Sequence, residues 1–373
     1  MKVLIAPDKF KGTLSAAEAA AAMAEGVLRV YPDAHVQLLP VADGGEGTLE
    51  AALSAGAAEH SERVVGPLER EVTASWAMLE RPDGKTAVIE TARASGLLLA
   101  EPSVQSALTA HSYGSGQLIE AALNAGATEI VLGVGGSAMT DGGSGALRAL
   151  GLKVLTGGGA EVLLGGAALA TADHLDTSGL DPRLAETVIR IAADVSNPLY
   201  GPDGAAHAFG EQKGADAVSR RLLDEALQRW AQLLLNATGR DVNVAGAGAA
   251  GGFPSGFLAL AGVRVEPGFD VVADLVGFEA ALAEADLVLT GEGSLDRQSE
   301  FGKAPLGVAG RAQARGIPAV VVAGQIDLTP DRLAEHGVNA AASVVEAAGS
   351  REQAMTQAAR YVTLATQQAL EGA

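Results

Sequence analysis

Five acidic residues lie where short apolar segments give way to glycine-rich loops: Asp8, Asp43, Asp141, Asp194 and Glu292. In open α/β sheets, ligands bind at the carboxyl ends of the strands, so acidic residues at those positions are candidates for chemistry. Phosphoryl transfer needs such a set, because carboxylates hold Mg²⁺ and one of them orients or deprotonates the attacking hydroxyl. Any one of them alone would more often be a turn or a helix cap. Five beside paired glycines favour function.

The segment 133–143 has the composition of an anion-binding loop. It follows a predicted strand, 129–133, and precedes a predicted helix, so its glycines present several backbone N–H groups at a helix N-terminus. Ser137 and Thr140 add hydroxyl donors. A structural turn does not require so many glycines, and we therefore predict a phosphate cradle that includes Gly135, Gly136 and Asp141.

Cationic residues are few and several lie in loops. Lys11 and Lys303, both in Gly- or Pro-flanked segments, are candidate phosphate clamps. Lys213 could serve the same purpose or be an ordinary surface lysine. Arg93 could hold a substrate carboxylate through its bidentate fork.

Composition restricts the class of protein. The 373 residues suggest about two domains, and a net charge of −19 disfavours nucleic acid and anionic membranes as partners. Cysteine is absent, which excludes disulfides, thiolate nucleophiles and Cys-ligated metals. The first apolar stretch, residues 1–5, is too short for a signal peptide, so we expect a cytoplasmic enzyme.

Two matches to known nucleotide motifs are weak. Residues 246–251 read G-x-G-x-x-G, but only a weak strand precedes them and Pro254 follows soon after. The stretch could equally be a close helix-packing or phosphate loop. Residues 84–86 end like a Walker A loop, yet Leu79 occupies the position of its first glycine, so a P-loop is excluded.

The elements that must position these residues alternate between strand and helix at both ends of the chain. Strands are predicted at 3–6, 36–41, 287–290 and 319–323, and a capping box, Ser15 with Glu18, opens a helix that reaches Val30. This alternation predicts a parallel sheet with helices on both faces. The middle contains two paired strands, 72–79 and 86–90. We expect an α/β protein with one domain from residues 1–65 and 275–373 and a second, inserted α/β domain from 66–274.

The ordered motifs resemble the bacterial glycerate kinase family that lacks a P-loop. The resemblance covers nearly the whole chain, through residues 5–15, 40–48, 112–119, 135–143, 194–199, 210–214, 246–252, 290–296, 298–299 and 302–303. It implies phosphorylation of D-glycerate, a small-molecule substrate, with ATP and Mg²⁺. It also implies a Rossmann-like three-layer domain formed by both chain ends, and an active site in the cleft between the domains. A homodimer is left open.

The resemblance also implies roles for individual residues. Asp194 or Asp43 would be the general base, and one or two of Asp8, Asp43, Glu292 and Asp296 would hold Mg²⁺. Lys11 and the glycine loops would stabilise the transferring phosphoryl group. The remaining candidates for substrate or phosphate binding are Gly44, Gly45, Glu46, Arg93, Ser112, Gly135, Gly136, Ser137, Asp141, Asn197, Lys213, Gly246, Gly248, Gly251 and Lys303.

Departures from the family pattern affect specificity. Lys9 stands where the family often has Ser, residues 139–140 read Met-Thr where Thr-Asn is common, and Arg93 replaces a small residue. The expected product is 2-phosphoglycerate, with 3-phosphoglycerate as the alternative. Two other readings are a nucleotide-dependent oxidoreductase of a small hydroxy acid, using residues 246–251, and a non-catalytic sugar-acid or nucleotide sensor.

Overall fold

The computed structural model describes residues 1–297, 299 and 304–372. The chain forms two compact units, each with its own sheet. Unit 1 consists of residues 1–56 and 267–373, and unit 2 consists of residues 57–266.

Strands and helices alternate along most of the chain. The strands are β1 (Lys2–Ile5), β2 (His35–Leu38), β3 (Ala58–Val65), β4 (Glu71–Arg81), β5 (Gly84–Glu90), β6 (Glu129–Gly133), β7 (Lys153–Leu155), β8 (His174–Asp176), β9 (Val188–Ala192), β10 (Arg264–Glu266), β11 (Leu287–Thr290), β12 (Ser294–Leu295), β13 (Ala319–Ala323), β14 (Gln325–Ile326) and β15 (Val338–Ser343). The helices are α1 (Ala16–Val30), α2 (Thr48–Ser54), α3 (Ala92–Ser95), α4 (Val104–Thr109), α5 (Tyr113–Asn124), α6 (Ser144–Ala149), α7 (Ala205–Phe209), α8 (Ala217–Thr238), α9 (Ala249–Leu260), α10 (Gly268–Leu275), α11 (Phe278–Leu282), α12 (Ala304–Ala314), α13 (Pro330–Glu335), α14 (Val344–Ala348), α15 (Arg351–Thr356) and α16 (Ala358–Glu371).

Unit 1 has the predicted three-layer architecture. Its sheet has the order β15-β13-β11-β1-β2 and every neighbouring pair is parallel. Successive side chains of a strand point to opposite faces, and β1 shows the consequence. Val3 and Ile5 pack with α1 and α16, whereas Leu4 packs with α10 and α12. Both faces are therefore buried, as an all-parallel sheet requires.

Unit 2 is a mixed sheet of the order β10-β9-β6-β5-β4-β3. Strands β5, β6, β9 and β10 are parallel, and the hairpin β3–β4–β5 is antiparallel. The predicted pairing of strands near 72–79 and 86–90 is confirmed. In the part of the chain that the structure describes, no helix combines the length and the apolar character needed to cross a membrane.

The predicted unit boundaries, 65/66 and 274/275, were several residues late. The structure places them at 56/57 and 266/267. Residues 58–65 form β3, which pairs with β4 over its whole length and so belongs to unit 2. Helix α10 belongs to unit 1, because Phe269 and Val272 lie in the same apolar cluster as Leu4. Sequence composition does not change at either point.

Helix α1 has the predicted start and a close contact along its length. Ser15 and Glu18 form the capping box, which satisfies two backbone donors of the first turn. Near the other end of the helix, a Cβ on Gly26 would lie 2.6 Å from Cβ of Thr366 on α16. Gly26 therefore sets the distance between α1 and α16.

Two glycines inside helices of unit 1 should respond oppositely to replacement by Ala. Gly26→Ala should destabilise the protein by about 1–3 kcal/mol, because the added methyl group forces α1 from α16. Gly310→Ala in α12 should stabilise it by about 0.5–1 kcal/mol, since no atom lies within 4 Å of the new methyl group and Ala is the better helix former. Chemical denaturation measures both, and stabilisation by Gly26→Ala would contradict the packing described.

Candidate active site

In unit 1, three acidic residues lie at the carboxyl edge of the sheet. Asp8 lies in the loop after β1, Asp43 in the loop between β2 and α2, and Glu292 in the loop after β11. Because β1 lies between β2 and β11, the loops after these strands are neighbours, and the N–H of Asp8 donates to the Gly291 carbonyl at 2.9 Å. The three candidates that the sequence analysis placed after apolar segments therefore lie on neighbouring loops, at the edge where ligands of such sheets bind.

Asp8 is buried and surrounded by negative charge. Only 6% of its surface is exposed. Desolvation by burial, together with the negative charges of Asp43 and Glu292, raises the pKa of Asp8 to about 8, against the opposing effect of the N–H group and positive charge of Lys9. The Lys9 N–H donates to Asp8 Oδ1 at 2.6 Å. An added cation would relieve this repulsion.

The loop after β2 packs against Asp8. Asp43 Oδ1 accepts from the Gly45 N–H at 3.2 Å, which holds the turn that contains Gly44. Gly47 has a φ of 104°, and a Cβ at this position would lie 3.9 Å from Asp8 Oδ1. A glycine here lets the backbone turn beside the acidic cluster.

The two lysines of the loop after β1 differ in their surroundings. Lys9 donates from Nζ to the Glu46 carbonyl and lies 3.5 Å from the Glu46 carboxylate, so it joins the loops after β1 and β2. Lys11 is exposed, and no described residue forms a hydrogen bond or ion pair with its Nζ. Lys11 thus has a charge available for a ligand.

Glu292 and Asp296 lie on either side of β12 and are both hydrogen-bonded to Ser299. The Ser299 Oγ donates to Glu292 Oε1 at 2.8 Å and accepts from the Asp296 N–H at 3.2 Å. Glu292 is buried. Among residues 1–297, 299 and 304–372, no group of three His, Asp or Glu side chains has the geometry to hold a metal alone. Mg²⁺ usually takes one or two carboxylates plus phosphate and water, which the cluster can accommodate.

In unit 2, the loop after β6 presents unused backbone donors. Among the described residues, none accepts a hydrogen bond from the N–H groups of Gly135, Gly136 or Ser137. The loop is held by the segment before it: the Leu97 N–H donates to the Gly136 carbonyl at 2.8 Å and the Ala138 N–H to the Ser95 carbonyl at 2.9 Å. Three N–H groups on a fixed loop have the donor set of an anion site.

Asp141 and Ser112 join the N-terminal turns of α5 and α6. Asp141 Oδ2 accepts from the N–H and Oγ of Ser112, both at 2.8 Å, and from the Gly145 N–H at 3.1 Å. Ser112 Oγ in turn accepts from the Ala146 N–H at 2.9 Å. Both side chains are fully buried. Because their polar atoms already have partners inside the protein, we infer that both residues position the loop rather than contact a substrate.

Lys213 supports the same loop from the protein interior. Its Nζ donates to the Met139 carbonyl at 2.6 Å and to Ser137 Oγ at 3.3 Å, and only 2% of the residue is exposed. Burial lowers the pKa of Lys213 to about 7, opposed by the charge of Asp141. The sequence did not reveal that Lys213 is buried. Its burial and its two hydrogen bonds show that Lys213 holds residues 137–139 in place.

The segments 194–199 and 246–252 also meet the loop after β6. A Cβ on Gly251 would lie 2.0 Å from the Met139 carbonyl oxygen, and one on Gly248 would lie 2.2 Å from the Pro198 carbonyl oxygen. Gly246 has a φ of 81° and lies near Val265. The glycines of the G-x-G-x-x-G match therefore serve close backbone packing. Asn197 accepts the Gly248 N–H through its carbonyl, and Asp194 is exposed beyond β9.

Arg93 lies beyond β5, next to a residue that the sequence analysis did not single out. Its Nε donates to Glu90 Oε2 at 3.0 Å, and Glu90 is only 3% exposed. No described residue bonds to the terminal nitrogens of Arg93. A charged residue that ends the apolar run of β5 was the available signal for Glu90. The predicted clamp Lys303 lies outside the described residues.

Comparison with known proteins identifies the family. The glycerate kinase family model matches residues 3–372. The chain belongs to the glycerate kinase family. It is 44% identical over 357 residues to glycerate 2-kinase of Escherichia coli K12, covering 95% of this chain and 93% of that protein.

Further relatives of the glycerate kinase family agree over the full length. Glycerate kinase of Bacillus subtilis 168 is 43% identical, with 97% of this chain and 95% of that one covered. A crystal structure described as glycerate kinase 2 of Salmonella typhimurium LT2 superposes with a TM-score of 0.88 at 39% identity, covering 100% of this chain and 98% of that one. The family assignment makes this chain a kinase.

Replacing Asp8 by Asn should stabilise this glycerate kinase family member while inactivating it. Folded Asp8 keeps a proton up to about pH 8, whereas its ordinary pKa is 3.8, so its contribution to the free energy of unfolding falls as pH rises between these values. The Asp8→Asn variant should melt about 2 °C or more above wild type at pH 8, with a smaller gap at pH 5. Activity should fall at least about 100-fold.

The exposed Asp33→Asn variant in the same unit is the matched control and should change neither property. Lower melting temperatures for Asp8→Asn at both pH values would contradict the description of Asp8 as a buried, repelled carboxylate.

Lys213 should make stability rise with pH. Its folded pKa of about 7 lies below the ordinary 10.5, so the unfolded chain binds the extra proton between these values and the free energy of unfolding increases across the window. Between pH 7 and 9, wild type should gain about 1 kcal/mol or more relative to Lys213→Met in chemical denaturation. The exposed Lys153→Met should track wild type. If the free energy of unfolding changed with pH in the same way for wild type and Lys213→Met, the lowered pKa of Lys213 would be refuted.

Proposed function

We propose that this protein transfers the γ-phosphoryl group of ATP to D-glycerate in the presence of Mg²⁺ and forms 2-phosphoglycerate. The observation that carries the proposal is the group of mutually repelling carboxylates at the sheet edge of unit 1, Asp8, Asp43 and Glu292. The name glycerate 2-kinase of the Escherichia coli relative supports the 2-hydroxyl as acceptor. The cytoplasmic location and a homodimer stay predictions.

The residues of unit 1 fit a bound magnesium ion. Asp8, Asp43 and Glu292 offer oxygen ligands at a place where burial and like charge oppose the ionisation of Asp8. When bound, Mg²⁺ would neutralise charge on the phosphate oxygens of ATP. Ser299 holds Glu292 in position through a hydrogen bond of 2.8 Å. Asp296 directly follows β12 and is a less favoured candidate ligand.

Of the two candidate bases, Asp194 is the better supported. The negative charge of Asp43 raises the pKa of Asp8, so Asp43 belongs to the carboxylate cluster that would hold the cation. Asp194 is exposed beyond the carboxyl end of β9 and can meet the substrate hydroxyl. Asp194 would take the proton of the attacking oxygen.

Other groups would hold the anions. The N–H groups of Gly135, Gly136 and Ser137 would donate to phosphoryl oxygens, and their loop is held by Lys213 and by residues 95–97. Lys11 would supply a positive charge from unit 1. Arg93, anchored through Nε to Glu90, would hold the glycerate carboxylate with its terminal nitrogens.

A coupled ADP-release assay tests the proposal. With D-glycerate, ATP and Mg²⁺ we expect glycerate-dependent ADP release, and phosphorus NMR of the product should show 2-phosphoglycerate. A signal from 3-phosphoglycerate would move the acceptor to the other hydroxyl. Absence of turnover with glycerate and related hydroxy acids would refute the proposed reaction.

The role of Asp194 can be separated from folding. Asp194→Asn should lower kcat by about 100-fold or more, because loss of a general base typically costs that much, with little change in melting temperature. The exposed Asp203→Asn in the same unit is the matched control and should retain wild-type kcat. A near-normal kcat for Asp194→Asn would exclude it as the base and leave Asp43.

A further inference from the structure

A second feature of unit 1 is a cavity of about 140 Å³ at the carboxyl edge of its sheet. Its apolar wall includes Phe10, Val344, Ala354, Met355 and Val362. Phe10, Val344 and Val362 are buried, whereas 51% of Met355 is exposed. The rest of the lining includes the polar residues Thr13, Ser294 and Gln325, so the cavity offers one apolar wall and one polar wall, which suits a flat heterocyclic ring.

The mouth of this cavity carries two positive charges that the protein does not neutralise. Lys11 and Arg351 line it, both are exposed, and no described residue forms a hydrogen bond or ion pair with either side chain. In a chain of net charge −19, such cations attract an anion. The backbone N–H groups of Lys11 and Gly12 also lack an acceptor among the described residues.

The cavity and the acidic cluster are built from the same two loops. The loop after β1 carries Asp8 in the cluster and Phe10 and Lys11 in the cavity wall, and the loop after β11 carries Glu292 in one and Gly293 in the other. The loops touch, because a Cβ on Gly293 would lie 3.2 Å from the Lys11 nitrogen. A ligand seated in the cavity has its anionic end beside Lys11, three residues from Asp8.

We propose that this cavity binds the base and ribose of an adenine nucleotide, with Lys11 and Arg351 contacting the phosphate chain or ribose. The inference rests on the proposed function for the identity of the phosphoryl donor. The apolar wall, the unpaired cations and the neighbouring carboxylate cluster match, in that order, the ring, the phosphates and the phosphate-bound cation of such a ligand. Specificity for the nucleotide then lies in α15 and the loop after β1.

Calorimetric titration of the full chain with ADP tests this assignment directly. Met355→Glu places a carboxylate in the cavity, and Arg351→Glu reverses a charge at its mouth. We expect each to weaken ADP binding at least 10-fold, and both residues are exposed, so folding should be preserved. The matched controls are Leu28→Glu on α1 and Arg221→Glu on α8, both exposed and outside the cavity, which should bind ADP like wild type.

A second readout is photolabelling with 8-azido-ADP, which should modify peptides containing residues 344–362 and be blocked by ADP. Wild-type affinity in both cavity variants, labelling elsewhere, or no ADP binding by wild type would overturn the assignment. The glycerate kinase assay tests the proposed reaction separately. If wild type phosphorylates glycerate and the cavity variants bind ADP normally, only the assignment of ADP to this cavity is refuted. ADP binding at the cavity without glycerate turnover would refute only the proposed reaction.

Discussion

Burial of the Asp8 carboxyl group beside other acidic residues is the physical constraint on which the active edge of unit 1 depends. A carboxyl group that is 6% exposed and faces two further acidic residues cannot ionise at neutral pH without a compensating cation. The acidic residues are close to one another because the parallel order β2-β1-β11 places the carboxyl ends of three strands side by side. The loop after β1 also carries Lys9, whose N–H group and positive charge oppose the effect of burial and like charge on Asp8 without cancelling it.

Unit 2 solves a different problem, which is to expose backbone donors on a rigid loop. The loop after β6 is fixed from three sides, by the segment 95–97, by Gly251 and by the buried Lys213. Asp141 connects it to the start of α5. Within the described parts of the chain, no group accepts a hydrogen bond from the three N–H groups of residues 135–137. Polar residues that appear to be ligands in the sequence are therefore partly the framework that keeps the real donors in place.

Some of this could be predicted from the sequence and some could not. The apolar runs of β1, β11 and β13 and the capping box of α1 are local signals, and local signals also put Asp8 at the end of a strand. The structural role of Ser112 and Asp141 depends on a hydrogen bond between residues 29 positions apart, which no local pattern specifies. Lys213 was ambiguous for the same reason, because its burial depends on the carbonyl of Met139. The cavity beside Phe10 is formed by residues from four separate segments and has no sequence signature.

Mg²⁺ binding to the acidic cluster is the property to measure first. Titration of Mn²⁺, as a paramagnetic substitute, can be followed by electron paramagnetic resonance in wild type and in the Asp43→Asn variant, with and without ADP. We predict that Mn²⁺ binds wild type more tightly when ADP is present, and that Asp43→Asn weakens Mn²⁺ binding by at least about 10-fold, or about 1.4 kcal/mol. Equal Mn²⁺ affinity in the two proteins would contradict the assignment of these carboxylates to the cation.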